Sequence, residues 1–356
     1  RDSLRLKMSV KSGCVVTFVS LLIFLTSGCA DTAKLASANT PETGGATVST
    51  DRKGVAMALR FGDKETTAEQ FAAVSNFPPL LEVQCKSTGL ADDSIGLLKD
   101  LRKLEVIRLD ATAGTSKSVS MLTKLPNLRE LELTNSPSVD DSVIELLKGH
   151  PTLESLNVNG STISDSCIES LLSINGLKAL RIAQTGISDA GIAQLAESGL
   201  KLEHLSCGSA SLSDASAAAI GRMTSLRSLE LLSTGISDAG IDSLGSLTEL
   251  EVLRISGSTA LTNDGILRLG DLPGLTHLDV SNTAFSAIGM SSAGFGLLKI
   301  LEAKSTKVTD EGFPEFAKVL NLRSIKVTGT PVTEECVRKV FPPIQQPVET
   351  EFGSAG

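Results

Sequence analysis

Tryptophan and tyrosine are absent from this chain of 356 residues, and phenylalanine supplies its entire aromatic content. That is unusual, because Trp and Tyr dominate most binding hot spots. Basic runs are missing too. With a formal net charge of −8 and a pI near 5.1, the chain is a poor match for nucleic acid, whose binding draws most of its affinity from Lys and Arg neutralising phosphates. Histidine occurs only as His150, His204 and His277. Six cysteines are present, but their positions contain no CxxC zinc spacing and no disulfide framework. No G-x-S-x-G, HExxH or phosphate-cradling glycine loop occurs. The expectation is a protein that is not an enzyme and that needs no cofactor and no metal.

What is present suits an extended folded core: 41% hydrophobic residues and a mean hydropathy of +0.15. The length alone would suggest two or three domains, but internal repeats must be sought first.

The first 28 residues read as a targeting segment. Arg1, Arg5, Lys7 and Lys11 make a basic start, and Cys14 to Leu25 is an almost unbroken apolar run. That run is the length of a signal h-region and too short for a comfortable membrane span. It ends Leu25-Thr26-Ser27-Gly28-Cys29. This resembles the bacterial lipoprotein signal, in which a small residue precedes the cysteine that receives the lipid, here Cys29. The family prefers Leu three residues before that cysteine, whereas Thr26 stands there and Leu25 comes one earlier. The alternatives are an ordinary secretory signal and a retained anchor helix. Ala30 follows Cys29, which resembles the sorting pattern for outer-membrane rather than inner-membrane delivery in many didermal bacteria. The chain opens on Arg1, and Met8 is the expected natural start, with residues 1–7 artefactual. Residues 29–52 are Ala/Thr/Ser/Gly-rich without apolar periodicity and read as a flexible tether.

From Leu80 onward one pattern recurs: L-x-x-L-x-L, a Thr or Ser three residues later, an apolar residue, S/T-D, and an apolar helix start. Its first leucine falls at Leu80, Leu104, Leu128, Leu153, Leu177, Leu202, Leu226, Leu250, Leu275, Leu298 and Leu322, eleven units with a mean period of about 24 residues. The L-x-L pairs, such as Leu131/Leu133 and Leu229/Leu231, alternate as in a short strand with both side chains inward. Val139, Ile163, Ile187, Ile236, Leu261 and Val308 turn the chain inward again. The segment TGISDAGI, at 185–192 and 234–241, supplies Ser188 or Ser237 as helix N-cap and Asp189 or Asp238 against the helix dipole. Gly or Pro then ends each helix. One column holds Thr88, Thr112, Ser136, Ser161, Thr185, Thr234, Ser258, Thr283, Thr306 and Thr330, with Ala210 breaking it. It is expected to form a hydroxyl ladder to the backbone of the next unit. Cys85 and Cys207 fall in strand core columns. Cys167 and Cys336 share the small-residue column just inside the helix, about 33 Å apart and unable to pair. His204 and His277 share a strand column about 14 Å apart, too far for a common metal.

The pattern resembles the cysteine-containing leucine-rich repeats best known beside F-box modules, and more closely a bacterial variant with Thr or Ser in place of the Cys. The resemblance covers about 80–340 and implies an α/β solenoid: a horseshoe with a parallel sheet on the concave face and α-helices on the convex face. Residues 53–341 form that domain, 54–79 being a degenerate N-terminal cap with Thr66-Thr67-Ala68-Glu69 as a capping box, and 342–356 a polar tail.

The outward strand residues vary while the core stays constant. Arg181, Glu230, Arg254, Asp279 and Glu302 carry mixed sign, a pattern suited to charge-selective protein recognition. The expectation is therefore a monomeric, non-enzymatic protein-binding module, displayed on the cell envelope by its lipid. It would recognise a protein partner through the concave sheet and touch no nucleic acid, and its lipid would be its only membrane contact. The alternatives are a self-associating structural envelope protein and an accessory or inhibitor subunit of an envelope enzyme.

Overall fold

A computed structural model describes residues 35–36, 44–62, 65–341 and 349–351. The leader, Cys29 and most of the expected tether lie outside the described residues, as does most of the tail. Among the described residues no helix is long and apolar enough to cross a membrane.

The described strands follow one another through a single sheet in chain order. They are β1 (Leu35–Ala36), β2 (Thr47–Thr50), β3 (Ala56–Arg60), β4 (Glu82–Lys86), β5 (Val106–Asp110), β6 (Glu130–Thr134), β7 (Ser155–Asn157), β8 (Ala179–Arg181), β9 (His204–Cys207), β10 (Ser228–Leu231), β11 (Val252–Arg254), β12 (His277–Asp279), β13 (Ile300–Glu302), β14 (Ser324–Lys326) and β15 (Glu349–Glu351). The β1–β2 and β2–β3 pairs are antiparallel; from β3 onward the sheet is parallel. Registers place Leu131, Leu156, Leu180, Leu205, Leu229, Leu253, Leu278 and Leu301 in one file, all buried. Leu133, Val158, Ile182, Cys207, Leu231 and Ile255 form a second buried file beside it. Each unit alone would leave one apolar face open, and stacking closes it.

Four features differ from the sequence reading. The tether does not extend to residue 52, because Thr47–Thr50 pairs with the cap strand. The hairpin turn is held by Asp51 Oδ1, which accepts from the N–H groups of Lys53 at 2.8 Å and Val55 at 2.9 Å. The capping box sits one residue later than expected. Thr67 caps the helix and Gln70 reciprocates, while Thr66 is buried. The tail is not wholly separate, since Glu349–Glu351 adds a parallel strand to β14. Nor is the helical layer α-helical throughout. Met290–Ser292 and Phe313–Lys318 are 3-10 turns. At the first, Ala287 and Gly289 take positive φ of 64° and 86°; at the second, Pro314 stands at the helix start.

A second backbone regularity was not expected. In nine units a residue one to three positions beyond the strand adopts the left-handed conformation: Ala111, Asn135, Gly160, Gln184, Ser233, Gly257, Asn282, Ser305 and Gly329 have φ between 51° and 76°. Each swings the chain from the strand into its turn. Only three of these nine positions carry the glycine that makes this backbone free of strain.

A self-compensated sheet face

Side chains alternate along the strands, so positions equivalent to Glu82, Gln84 and Lys86 face away from the core. The sequence-predicted residues Arg181, Glu230, Arg254, Asp279 and Glu302 align across the sheet, with Arg181 opposite Ser206, Glu230 opposite Arg254, and Asp279 opposite both Arg254 and Glu302. In the structure these side chains are not free charges. Arg254 Nη1 lies 2.5 Å from Glu230. Glu302 is held by Lys304 at 3.2 Å and Lys326 at 3.1 Å; burial would raise its carboxyl, but the hydrogen bonds from those lysines win and hold it below the ordinary range. Asp279 accepts the Ser281 N–H at 2.9 Å. Arg181 is only 6% exposed. Its Nη1 stands 3.7 Å from Glu132.

The densest cluster lies nearer the N-terminal end. Arg108 reaches Glu82 and Glu130 at 2.7 Å each and Glu132 at 3.8 Å. Burial opposes the Arg108 charge, but Glu130, Glu82 and Glu132 together outweigh it and raise its pKa. Glu132 goes the other way for a carboxylate. Burial, aided by neighbouring Glu130, pushes its pKa up despite Arg108 and Arg181. Most of these ion pairs run between strands, so they depend on a register that the order of residues along one strand does not display.

The expected hydroxyl ladder is largely intramolecular to each turn. Thr185, Thr283, Thr306 and Thr330 donate back to the carbonyl three residues earlier, at 2.6–2.7 Å. Within the column, Thr112–Ser136 and Thr234–Ser258 bond to each other across units. The Ser161 hydroxyl has no partner among the described residues. In the first unit Thr88 is exposed and bonds Glu65, and buried Ser87 fills the place inside the turn, donating to Thr66 O at 2.6 Å.

The real inter-unit ladder runs along the helix N-termini. The aspartate that opens one helix accepts both the backbone N–H and the hydroxyl of the next unit's N-cap. Asp92 holds Thr115, Asp141 holds Ser164, Asp165 holds Ser188, Asp189 holds Ser213, Asp214 holds Ser237, Asp238 holds Thr262 and Asp310 holds Thr333. Asn263 continues it through Ser286 N–H alone. This ladder explains the small-residue column. A Cβ at Gly191, Gly240 or Gly265 would come within 2.0–2.4 Å of the preceding unit's carboxylate. Where the preceding helix opens on Ser116 instead, the same column accepts Val143. Cys167 belongs to this column; burial, reinforced by Asp141, pushes its thiol up to about 12, which makes it inert.

No protein-family model and no curated sequence matches the chain. Solved structures do match its fold. An internalin of Listeria monocytogenes superposes with a TM-score of 0.51 at 18% identity, over 84% of this chain and 87% of its own. A chain of the yeast Rad7–Elc1 complex gives a TM-score of 0.65 at 18% identity, over 83% of this chain and 80% of that one. A leucine-rich-repeat protein of Leptospira interrogans has 18% identity and a TM-score of 0.45, over 79% and 80% of the two chains. At such identities the likeness speaks for architecture. The chain is an α/β leucine-rich-repeat solenoid.

Proposed function

We propose that this solenoid is a non-enzymatic protein-recognition module that meets its partner on the outward face of the sheet. The observation that carries the reading is the division of labour between the surfaces. The helix edge is committed to the carboxylate ladder, while the outward sheet positions differ in nearly every unit and carry charges of both signs. A face that varies over a constant core is free to be complementary to something else. The yeast Rad7–Elc1 structure, a fold match crystallised as a protein complex, agrees with that use. In the same reading the chain is exported and carried on the outer membrane by a lipid on Cys29.

The test is a charge swap rather than a charge loss. Glu230→Arg with Arg254→Glu keeps the internal ion pair but reverses the pattern shown to a partner. Partners cross-linked to the protein in its native envelope, and identified by mass spectrometry, should be lost from the swapped protein while its melting temperature is unchanged. Retention of the same partner by the swapped protein, and also in high salt, would place docking away from this face.

A further inference from the structure

Six outward positions lie in the three consecutive central strands β7, β8 and β9: Ser155, Asn157, Ala179, Arg181, His204 and Ser206. All six are more than nine-tenths buried, and Arg181 carries their one formal charge under neutral conditions. On either side the charges are already matched, Arg108 by Glu82 and Glu130, and Arg254 by Glu230. Arg181 is not matched in that way. The carboxylate nearest to it is Glu132 at 3.7 Å, beyond hydrogen-bond distance, and Arg108 shares that carboxylate. A guanidinium offers five N–H donors in a planar fork, and a buried one is costly unless they are used.

The second observation is His204. Ala179 pairs with His204 in the register, so the imidazole stands on the same face as Arg181, one strand along. Its Nδ1 is buried and has no partner among the described residues. Burial first, then the Arg181 charge, keep the ring neutral, against weaker opposing fields from Glu203, Glu230 and Glu251. With Nδ1 lacking an acceptor for a proton, the favoured neutral tautomer carries its N–H on Nε2 and is a donor there. Ala179 and Ser206 beside Arg181 are too small to cap it.

We propose that Arg181, with His204 beside it, is a receiving site for a single carboxylate presented by a protein partner at the centre of the sheet face. The inference rests on the recognition reading above and names the chemistry of its central contact. One carboxylate would use the idle face of the guanidinium fork, supply the negative charge that Glu132 delivers only at a distance, and accept from His204. The paired charges on either side would set register around it.

The experiment is a nuclear magnetic resonance titration of the full chain, in which the three histidines give resolved imidazole signals. The probes are the tripeptide glycyl-glutamyl-glycine blocked at both ends, N-acetyl-triglycine with a free terminal carboxylate, and triglycine blocked at both ends. Either carboxylate peptide should shift His204 saturably and raise its titration midpoint by about one pH unit, because an added anion offsets the Arg181 charge. His150 and His277 should not follow, and the fully blocked triglycine should do nothing. Whichever carboxylate peptide acts identifies the source as an acidic side chain or a chain end. Arg181→Gln should abolish the response. If that variant unfolds, Arg181→Lys, which keeps the charge and loses the fork, should weaken it about tenfold. No saturable change at His204 with either carboxylate peptide, or an undiminished response in the folded variant, overturns the proposal. If the peptides fail while the charge-swapped protein still loses its envelope partner, only this inference falls.

Discussion

Asp189 sits in the middle of the carboxylate ladder and offers the sharpest test of what holds neighbouring units together. It accepts the Ser213 N–H at 3.0 Å and the Ser213 hydroxyl at 2.5 Å, and it also takes the Ser216 hydroxyl. Asp189→Ala removes all three and leaves the Ser213 N–H without its acceptor. At about 1 kcal/mol net for each hydrogen bond, the loss should be about 3 kcal/mol, measured by urea unfolding at pH 7. Asp189→Asn should cost less, about 1–2 kcal/mol, because an amide oxygen can still accept the backbone N–H. Asn263 already does so within this chain, accepting Ser286 N–H at 3.1 Å. The pH dependence discriminates further. Burial alone would raise the Asp189 carboxyl, but the hydrogen bonds from Ser213 and Ser216 outweigh it and hold it below its ordinary value. A depressed carboxyl contributes stability above its unfolded value near pH 4 and loses it as pH falls through the folded value. The gap between wild type and Asp189→Asn should therefore be full at pH 7 and shrink progressively below about pH 4. An alanine variant as stable as wild type, or a gap to the asparagine variant that does not change with pH, would refute the ladder as a source of stability.

His150 occupies a column that is apolar in other units, Leu125 before it and Ile174 after it, and its buried ring nitrogens make no well-formed hydrogen bond among the described residues, only a weak interaction with the Thr123 backbone. Burial pushes its pKa down, so its unfavourable linkage is absent above the unfolded value near 6.5 and grows as pH falls below it. His150→Leu should stabilise the protein by about 1 kcal/mol at pH 7.5 and by more at pH 5, read as a difference in melting temperature. Gln184 is left-handed at φ 57°, so Gln184→Gly should stabilise by about 0.5–1 kcal/mol in urea unfolding, whereas the same change at an extended strand position should destabilise. Mass spectrometry of the N-terminal peptide from the native membrane should show acylation on Cys29; a soluble mature form with an unmodified Cys29 would remove the envelope from the functional reading.

The solenoid was legible because its signal is repeated. One L-x-L pair says little, but eleven in phase place Val83 to Ile325 in one buried file, and the parallel registers follow from equal spacing. What failed was whatever depends on contact between units. The column around Thr185 and Thr283 was read as bonding onward because hydroxyls recur there. Those residues bond backward instead, to the carbonyl three residues earlier in their own turn. The aspartates of SDAG were read as charges on a dipole. Their longer reach, to Ser213 or Ser237 one unit away, requires the phase between units as well as the motif. The glycine of the same motif held the clue, because a small residue at a helical core position has to make room for something.

The sheet face followed the same logic and explains why function was less legible than fold. Charges of both signs along Arg181, Glu230, Arg254, Asp279 and Glu302 look in sequence like an array of contacts. In parallel register some opposite charges on neighbouring strands come within reach, and Glu230 with Arg254 shows the result. Such pairs contribute little net stability when partly exposed. They do, however, remove bare charges from a surface that would otherwise attract unrelated proteins, and leave selection to whatever stays uncompensated. On this face that is the low, nearly neutral floor around Arg181, where small neighbours and an unpartnered imidazole make the centre chemically unlike either flank. A partner chosen by this surface would have to interleave with the paired charges and carry an anion at its middle, and a partner matching only the overall acidity of the chain would find no such place.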